Sequence, residues 1–344
     1  MPDTTDDPIT DLTWMRDLPW DDVIGAATVV RLPMRVRFRG VESREAVLLP
    51  GPCGWGEFAP FPEYDDAEAS RWLAAAADAA YRPMPPPMRD TVRVNATLPA
   101  VPVADVEHVL TRFPGCDTVK VKVAERGQHL DHDVARLAEV RALWGPSARV
   151  RIDANGGWSL TEAREALARL SRFDLEYAEQ PCRTVEELAE LRLALARDGV
   201  DVPIAADESI RKAADPLRVR DLEAADVIVV KVAPLGGIRA ALRIVQECGL
   251  PAVVSSALDT SVGIAAGVAL AAALPRLDYA CGLGTVALLA ADVSPKPLLP
   301  DHGQLQVRPA VIDPDRLTQW AVEPERSRWW LERLRRCHAH LMRP

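Results

Sequence analysis

The sequence has no histidine between His132 and His302, so a three-histidine zinc site cannot be built from the middle of the chain. Its six cysteines, Cys53, Cys116, Cys182, Cys248, Cys281 and Cys337, stand singly with no CxxC pair. That scatter suits free thiols in a reducing compartment. No apolar run reaches the roughly 18 to 20 residues needed to span a bilayer, because VVSSALDTSVGIAAGVALAAAL is interrupted by Asp259 and several hydroxyls. The N-terminal MPDTTDDPITDL lacks the charged-then-apolar pattern of a secretory signal. There is no Lys/Arg cluster interleaved with aromatics, and 41 basic against 50 acidic residues leave a formal charge of −9. Nucleic acid is thereby disfavoured. These absences predict a cytoplasmic protein with neither a membrane nor a nucleic acid as partner. They leave the oligomeric state open.

What is present is a rhythm. Residues 1–88 read as an α+β unit: TVVRLPMRVRFRG and REAVLLPGPCGWGEFAP suggest strands, and DAEASRWLAAAADAAYR a helix. PMPPPMRD then breaks regular structure, since consecutive prolines sustain neither a helix nor an internal strand. From residue 89 to 290, eight short β-rich runs follow at 92–98, 118–123, 149–155, 175–181, 203–209, 226–234, 252–258 and 278–284. Amphipathic helical patterns such as LTEAREALARLSRF fill most gaps. Eight strand–helix units predict the α/β class and a modified (β/α) TIM-type barrel carrying the N-terminal α+β unit as a cap. An open doubly wound sheet is the alternative, but the first βα turn has no Gly-rich phosphate loop. In residues 291–344 the pattern decays, and HGQLQVR reads as one more strand returning to the N-terminal unit.

Active sites of parallel barrels lie at the C-terminal strand ends. There the sequence places Lys120 and Lys122 in TVKVKV, Asp153 and Asn155 in RIDAN, and Glu179 in YAEQP. Asp207 and Glu208 follow in AADES, Lys231 in VVKVAP, Ser255 and Ser256 in VVSSA, and Gly282 in ACGLG. One aspartate at a strand end is ordinarily a helix cap. However, Asp153, Glu179 and Asp207 are 26 and 28 residues apart, each about one βα unit, so three adjacent strands can bring them to one point. Three gathered carboxylates cannot all stay ionised without a cation. Ligation by oxygen alone selects a hard ion, Mg²⁺ or alternatively Mn²⁺. Lys122 and Lys231 flank the carboxylates. Lys120, two residues from Lys122 on the same strand face, is expected to lower the Lys122 pKa by like-charge repulsion. A base beside a metal-bound carboxylate substrate predicts proton abstraction α to that carboxylate.

VKVKV, RIDANGGW, EQP, ADES and KVAPLGG, in this order, resemble the enolase superfamily and its muconate-lactonising subgroup, and GWGEFAPFPEY resembles that family's capping-domain signature. The resemblance covers most of the chain. It implies Lys122 as the acid/base, Lys120 as its electrostatic partner, and Asp153, Glu179 and Asp207 as Mg²⁺ ligands. Lys231 would be a second base or a cation steadying an enediolate. VVSSALD has no histidine where the mandelate-racemase branch carries one, and Gly282-Leu283-Gly284 replaces the Asp-x-Asp of dipeptide epimerases. KVAPLGG, VVSSALDTSVG and GLGT look most like the o-succinylbenzoate synthase family. That likeness implies a dehydratase acting on a small-molecule carboxylate in menaquinone biosynthesis, with Asn155, Ser255 and Gly282 near the substrate. N-Acylamino acid racemase and muconate-type cycloisomerase activities share the same residues. A non-catalytic barrel would have lost at least one of them, and none is missing.

Overall fold

The computed structural model describes residues 12–38, 40–212 and 215–343; most of the N-terminal stretch read for a signal lies outside them. Strands β1 (Thr28–Phe38), β2 (Val41–Gly51) and β3 (Gly54–Phe58) form an antiparallel meander. The helix Asp66–Tyr81 lies across it. Asp65 caps this helix by accepting from the Glu68 amide at 2.8 Å. The approach needs glycine: a Cβ on Gly56 would sit 1.9 Å from the Ala76 carbonyl oxygen. The C-terminal helix Pro324–Leu341 packs beside it on the same face, with Trp330 fully buried and its Nε1 donating to Glu45 at 2.8 Å.

After β4 (Thr91–Arg93), a seven-stranded parallel sheet runs in chain order through β5 (Ala96–Leu98), β6 (Thr118–Lys122), β7 (Arg149–Asp153), β8 (Leu175–Glu179), β9 (Ile204–Ala206), β10 (Val227–Val230) and β11 (Ala252–Val254). Capping boxes start two of the outer helices, Ser159 with Glu162 and Thr184 with Glu187. The sheet curls into a TIM-type barrel. The eighth run, 278–284, does not form a regular strand. Cys281 and Gly282 instead make single parallel bridges to Val94 and Ser255, and these close the barrel. The glycines at 282 and 284 weaken a strand here, yet Gly282 is what permits closure, because an added Cβ would lie 2.5 Å from Ser255 Oγ.

HGQLQVR also departs from expectation. Its strand β12 (Gln304–Gln306) pairs antiparallel with β4 rather than with the N-terminal sheet. Leu305 is buried between exposed Gln304 and Gln306, the alternation of a short edge strand. Contact with the N-terminal sheet lies on either side of this strand: the Ala290 amide donates to the Pro33 carbonyl at 2.8 Å, and the Arg31 amide donates to the Trp320 carbonyl at 2.8 Å.

The cap also reaches the barrel through Glu57. Its carboxylate accepts from the Thr260 amide (3.1 Å), Thr260 Oγ1 (2.6 Å) and the Gly263 amide (2.9 Å), at the start of the helix Ser261–Ala273. Burial first, then the nearby Asp259 carboxyl, push Glu57 up to about 8 from 4.5 against those bonds. Burial raises Asp259 as well. A carboxyl raised by folding binds its proton more tightly in the native state, so this contribution to stability is lost as pH rises from about 4.5 through about 8. Glu57→Gln is expected to flatten the fall in denaturation midpoint between pH 5 and 8. The slope it removes is at most about 1.4 kcal/mol per pH unit, measurable by urea titration at three pH values. An unchanged slope would show that Glu57 carries no such proton.

Candidate active site

Strand register does the first work of assembly. Lys122 is level with Asp153 across β6 and β7, and Asp153 is level with Glu179 across β7 and β8. Glu179 is level with Ala205 on β9, two residues before Asp207. In-plane neighbours on parallel strands share a face, so the row points into the barrel mouth. Lys120, Lys122, Asp153, Glu179, Asp207 and Lys231 are all buried. Lys120, Lys122, Asp153 and Lys231 line one cavity with Asn155, Ser255 and Gly282, while Glu179 and Asp207 lie fully buried, bound to Lys120 and Lys231.

The charges are paired. Lys122 Nζ donates to an Asp153 oxygen and, at 2.5 Å, to Asn155 Oδ1. Lys120 Nζ donates to both Glu179 oxygens at 2.8 and 2.9 Å and lies 3.3 Å from Asp153. Lys231 Nζ donates to Asp207 at 2.5 Å, and Arg211 Nε meets the other Asp207 oxygen at 3.2 Å. Burial alone would raise Asp153, but Lys122 and Lys120 hold it far below the usual carboxylate range. Asp207 is held at about 2, its burial outweighed by Lys231 and Arg211. Glu179 stands apart: burial and the neighbouring Asp153 push it up to about 7 despite Lys120.

This pairing differs from the expected lysine–lysine repulsion. Asp153 lies between the two ammonium groups, and Lys120 is held charged above the ordinary lysine range because Glu179 and Asp153 outweigh its burial. Among the described residues, no three acidic, histidine or cysteine side chains are grouped so as to hold a metal ion. The donor set still fits a hard cation. It consists of buried carboxylates on adjacent strands, and the one between the other two is pushed toward neutrality by burial and by Asp153.

Several residues of the site gave no sequence signal. Phe38 and Phe61 from the cap close the cavity from above, with the Phe38 ring centroid 5.3 Å from Lys122 Nζ. Thr97 and Thr285 complete its wall beside Ser256, which the strand-end pattern marks. Gln180 latches the Asp207 loop: its Oε1 accepts from the Asp207 and Ser209 amides at 3.0 and 3.1 Å. It does so from a left-handed backbone, φ +40°. Phe38, Lys122 and Asn155 also border an outer cleft of about 450 Å³ that opens past Arg37 and Arg126.

The contact between Gly282 and Ser255 predicts a specific pair of phenotypes. Gly282→Ala is expected to cost about 1–3 kcal/mol by overpacking and to lower activity by distorting the cavity wall. Adding Ser255→Gly should recover most of both losses, read by thermal melts and turnover. Purely additive losses would refute the contact.

A capped parallel barrel with lysines and carboxylates at its strand ends defines an enzyme class, and the sequence matches bear on the same point. Residues 103–311 match the enolase C-terminal domain-like family and residues 29–80 the enolase N-terminal domain-like family. This chain belongs to the enolase superfamily. It is 58% identical over 293 residues to an o-succinylbenzoate synthase of Thermobifida fusca, covering 85% of this chain and 90% of that one. It is 56% identical to an o-succinylbenzoate synthase of Mycolicibacterium smegmatis, covering 93% and 97%. Among solved structures, a muconate lactonizing enzyme from Pseudomonas fluorescens, complexed with muconolactone, aligns with a TM-score of 0.72 at 20% identity, covering 86% of this chain and 98% of that one. An N-succinyl Arg/Lys racemase from Bacillus cereus aligns with a TM-score of 0.70 at 19% identity, covering 86% and 97%. At these identities the structural likeness shows the fold alone. Superfamily membership and the close synthase relatives imply a divalent-metal-dependent lyase. Among the described residues no helix is long and apolar enough to cross a membrane.

Proposed function

We propose that this chain is an o-succinylbenzoate synthase. It converts 2-succinyl-6-hydroxy-2,4-cyclohexadiene-1-carboxylate to 2-succinylbenzoate by syn-dehydration, a step of menaquinone biosynthesis. The observation that carries this reading is the 56% identity to such a synthase across 93% of the chain. The paired lysines and carboxylates at the strand ends support it.

In this mechanism Lys122, released from Asp153, takes the proton from the ring carbon that bears the carboxylate. The electron pair left behind is delocalised into that carboxylate, giving an enediolate. Collapse of the enediolate forms the ring double bond and breaks the C–O bond to the hydroxyl. Lys122 returns its proton to the departing oxygen as water leaves, so one group on one ring face serves both steps. Lys231, on the other side of the carboxylate row, balances the developing negative charge. Lys120, bound to both Glu179 oxygens, keeps a fixed positive charge beside the carboxylate row. Asp153, Glu179 and Asp207 would hold Mg²⁺, with Mn²⁺ as a working substitute. The ion, when bound, lowers the pKa of the α-proton by drawing charge from the substrate carboxylate. Ser255 and Gly282 form the wall facing the substrate, and Asn155 borders it. Aromatisation drives the reaction forward.

The test is direct. Purified protein with Mg²⁺ should convert the cyclohexadiene substrate, followed by its absorbance. No conversion, together with α-proton exchange on an N-succinylamino acid, would replace this reading with a racemase on the same residues.

A further inference from the structure

Glu208 is a charged residue beside the site that the mechanism does not use. It opens the four-residue helix Glu208–Arg211, and a capping or pairing role would account for its charge alone. Its contacts go further. Glu208 Oε1 accepts from Asn155 Nδ2 at 3.3 Å and from Arg211 Nη2 at 2.5 Å. The amide oxygen of the same Asn155 receives Lys122 Nζ at 2.5 Å. A continuous chain thus runs from Arg211 through Glu208 and Asn155 to Lys122.

Each link constrains the next. Asn155 adopts a left-handed backbone, φ +47°, and its amide N–H donates to Asp153 Oδ1 at 3.0 Å, so the start of its side chain is fixed. What stays free is the orientation of the terminal amide. Turned one way, it offers Lys122 an oxygen; turned the other, it sets two N–H donors against an ammonium. An ionised carboxylate accepts and cannot donate, so Glu208 selects the first orientation. Arg211, 2% exposed, holds Glu208 and Asp207 with one guanidinium and so places Glu208 relative to the carboxylate row.

We propose that Glu208 is a positioning residue for Lys122, acting through the side-chain amide of Asn155. The inference rests on Lys122 being the base, and it says why the residue after Asp207 must be an acceptor. Asn155 then owes its place less to the substrate than to the lysine.

Glu208→Leu removes the acceptor, Glu208→Gln restores one, and Asn155→Leu removes the intermediary. In the Glu208→Leu variant kcat should fall about 10- to 100-fold, the scale of a misplaced reacting group. KM and the Mg²⁺ concentration for half activity should stay within about threefold on the same grounds, because substrate and metal contacts remain. The isotope effect with substrate deuterated at the abstracted position should rise. Glu208→Gln should recover most of the rate, and Glu208→Leu combined with Asn155→Leu should be no worse than Asn155→Leu alone. Wild-type rates in Glu208→Leu, or losses that multiply with Asn155→Leu, would overturn the proposal. A loss of rate that only follows a fall in Tm or in metal affinity would also overturn it. If the wild-type protein does not dehydrate the cyclohexadiene, the functional reading fails separately. A crystal structure of Glu208→Leu then decides the positioning role: loss of the Asn155–Lys122 bond supports it, and an unchanged bond refutes it.

Discussion

Replacing Lys122 with alanine is expected to abolish turnover, by at least about 10³- to 10⁴-fold, the upper range for a general acid–base group that here serves two steps. No other group can take over on the same ring face. Lys120 points from the same strand but is bound to both Glu179 oxygens. Lys231 is held by Asp207, across the carboxylate row. The fold should survive the substitution, because Asp153 keeps Lys120 at 3.3 Å and is not left as a lone buried charge. The checks are a turnover assay over long incubation, far-UV circular dichroism and a thermal melt with and without Mg²⁺. Unchanged dichroism and a preserved Mg²⁺-induced rise in Tm, with no product, would isolate the loss to chemistry. A rate within about tenfold of wild type would remove Lys122 from the mechanism.

The legible part of this site is the part written along strands. Asp153, Glu179 and Asp207 could be found because each interrupts an apolar run and the interval between them is one βα unit, and register then aligned them. Lys120 and Lys122 stood out because charge on alternate positions of a buried strand demands a partner. The pairing itself was not legible. Repulsion between two lysines on one strand can be read from spacing, but an Asp153 oxygen set between them depends on the neighbouring strand. Phe38 and Phe61 arrive from the cap, and the chain through Glu208 and Asn155 crosses from β9 to β7, so neither leaves a local pattern. The eighth strand failed for the opposite reason. DYACGLG has a strand's composition, but its glycines serve close approach rather than a ladder.

Chelation should be as damaging as loss of the base, yet reversible. Each of the three carboxylates pairs with a lysine. These pairs leave none of the three as a lone buried charge, so excess EDTA should leave dichroism unchanged while turnover falls below detection. A divalent cation would add two positive charges to the set, and the dicarboxylate substrate would bring two negative ones. Metal and substrate therefore complete each other electrostatically, and each should tighten the binding of the other. Mg²⁺ or Mn²⁺ should restore the rate, and the larger Ca²⁺, which prefers more ligands at longer distance, should restore it poorly. Binding should also raise stability by about 2.7 kcal/mol when free ion reaches a hundred times its dissociation constant, visible as a rise in Tm. Full turnover by protein shown to be metal-free by elemental analysis would assign the three carboxylates to structure alone. Loss of turnover in EDTA with recovery in Mg²⁺, but not in Asp207→Asn, would place the ion at these strand ends.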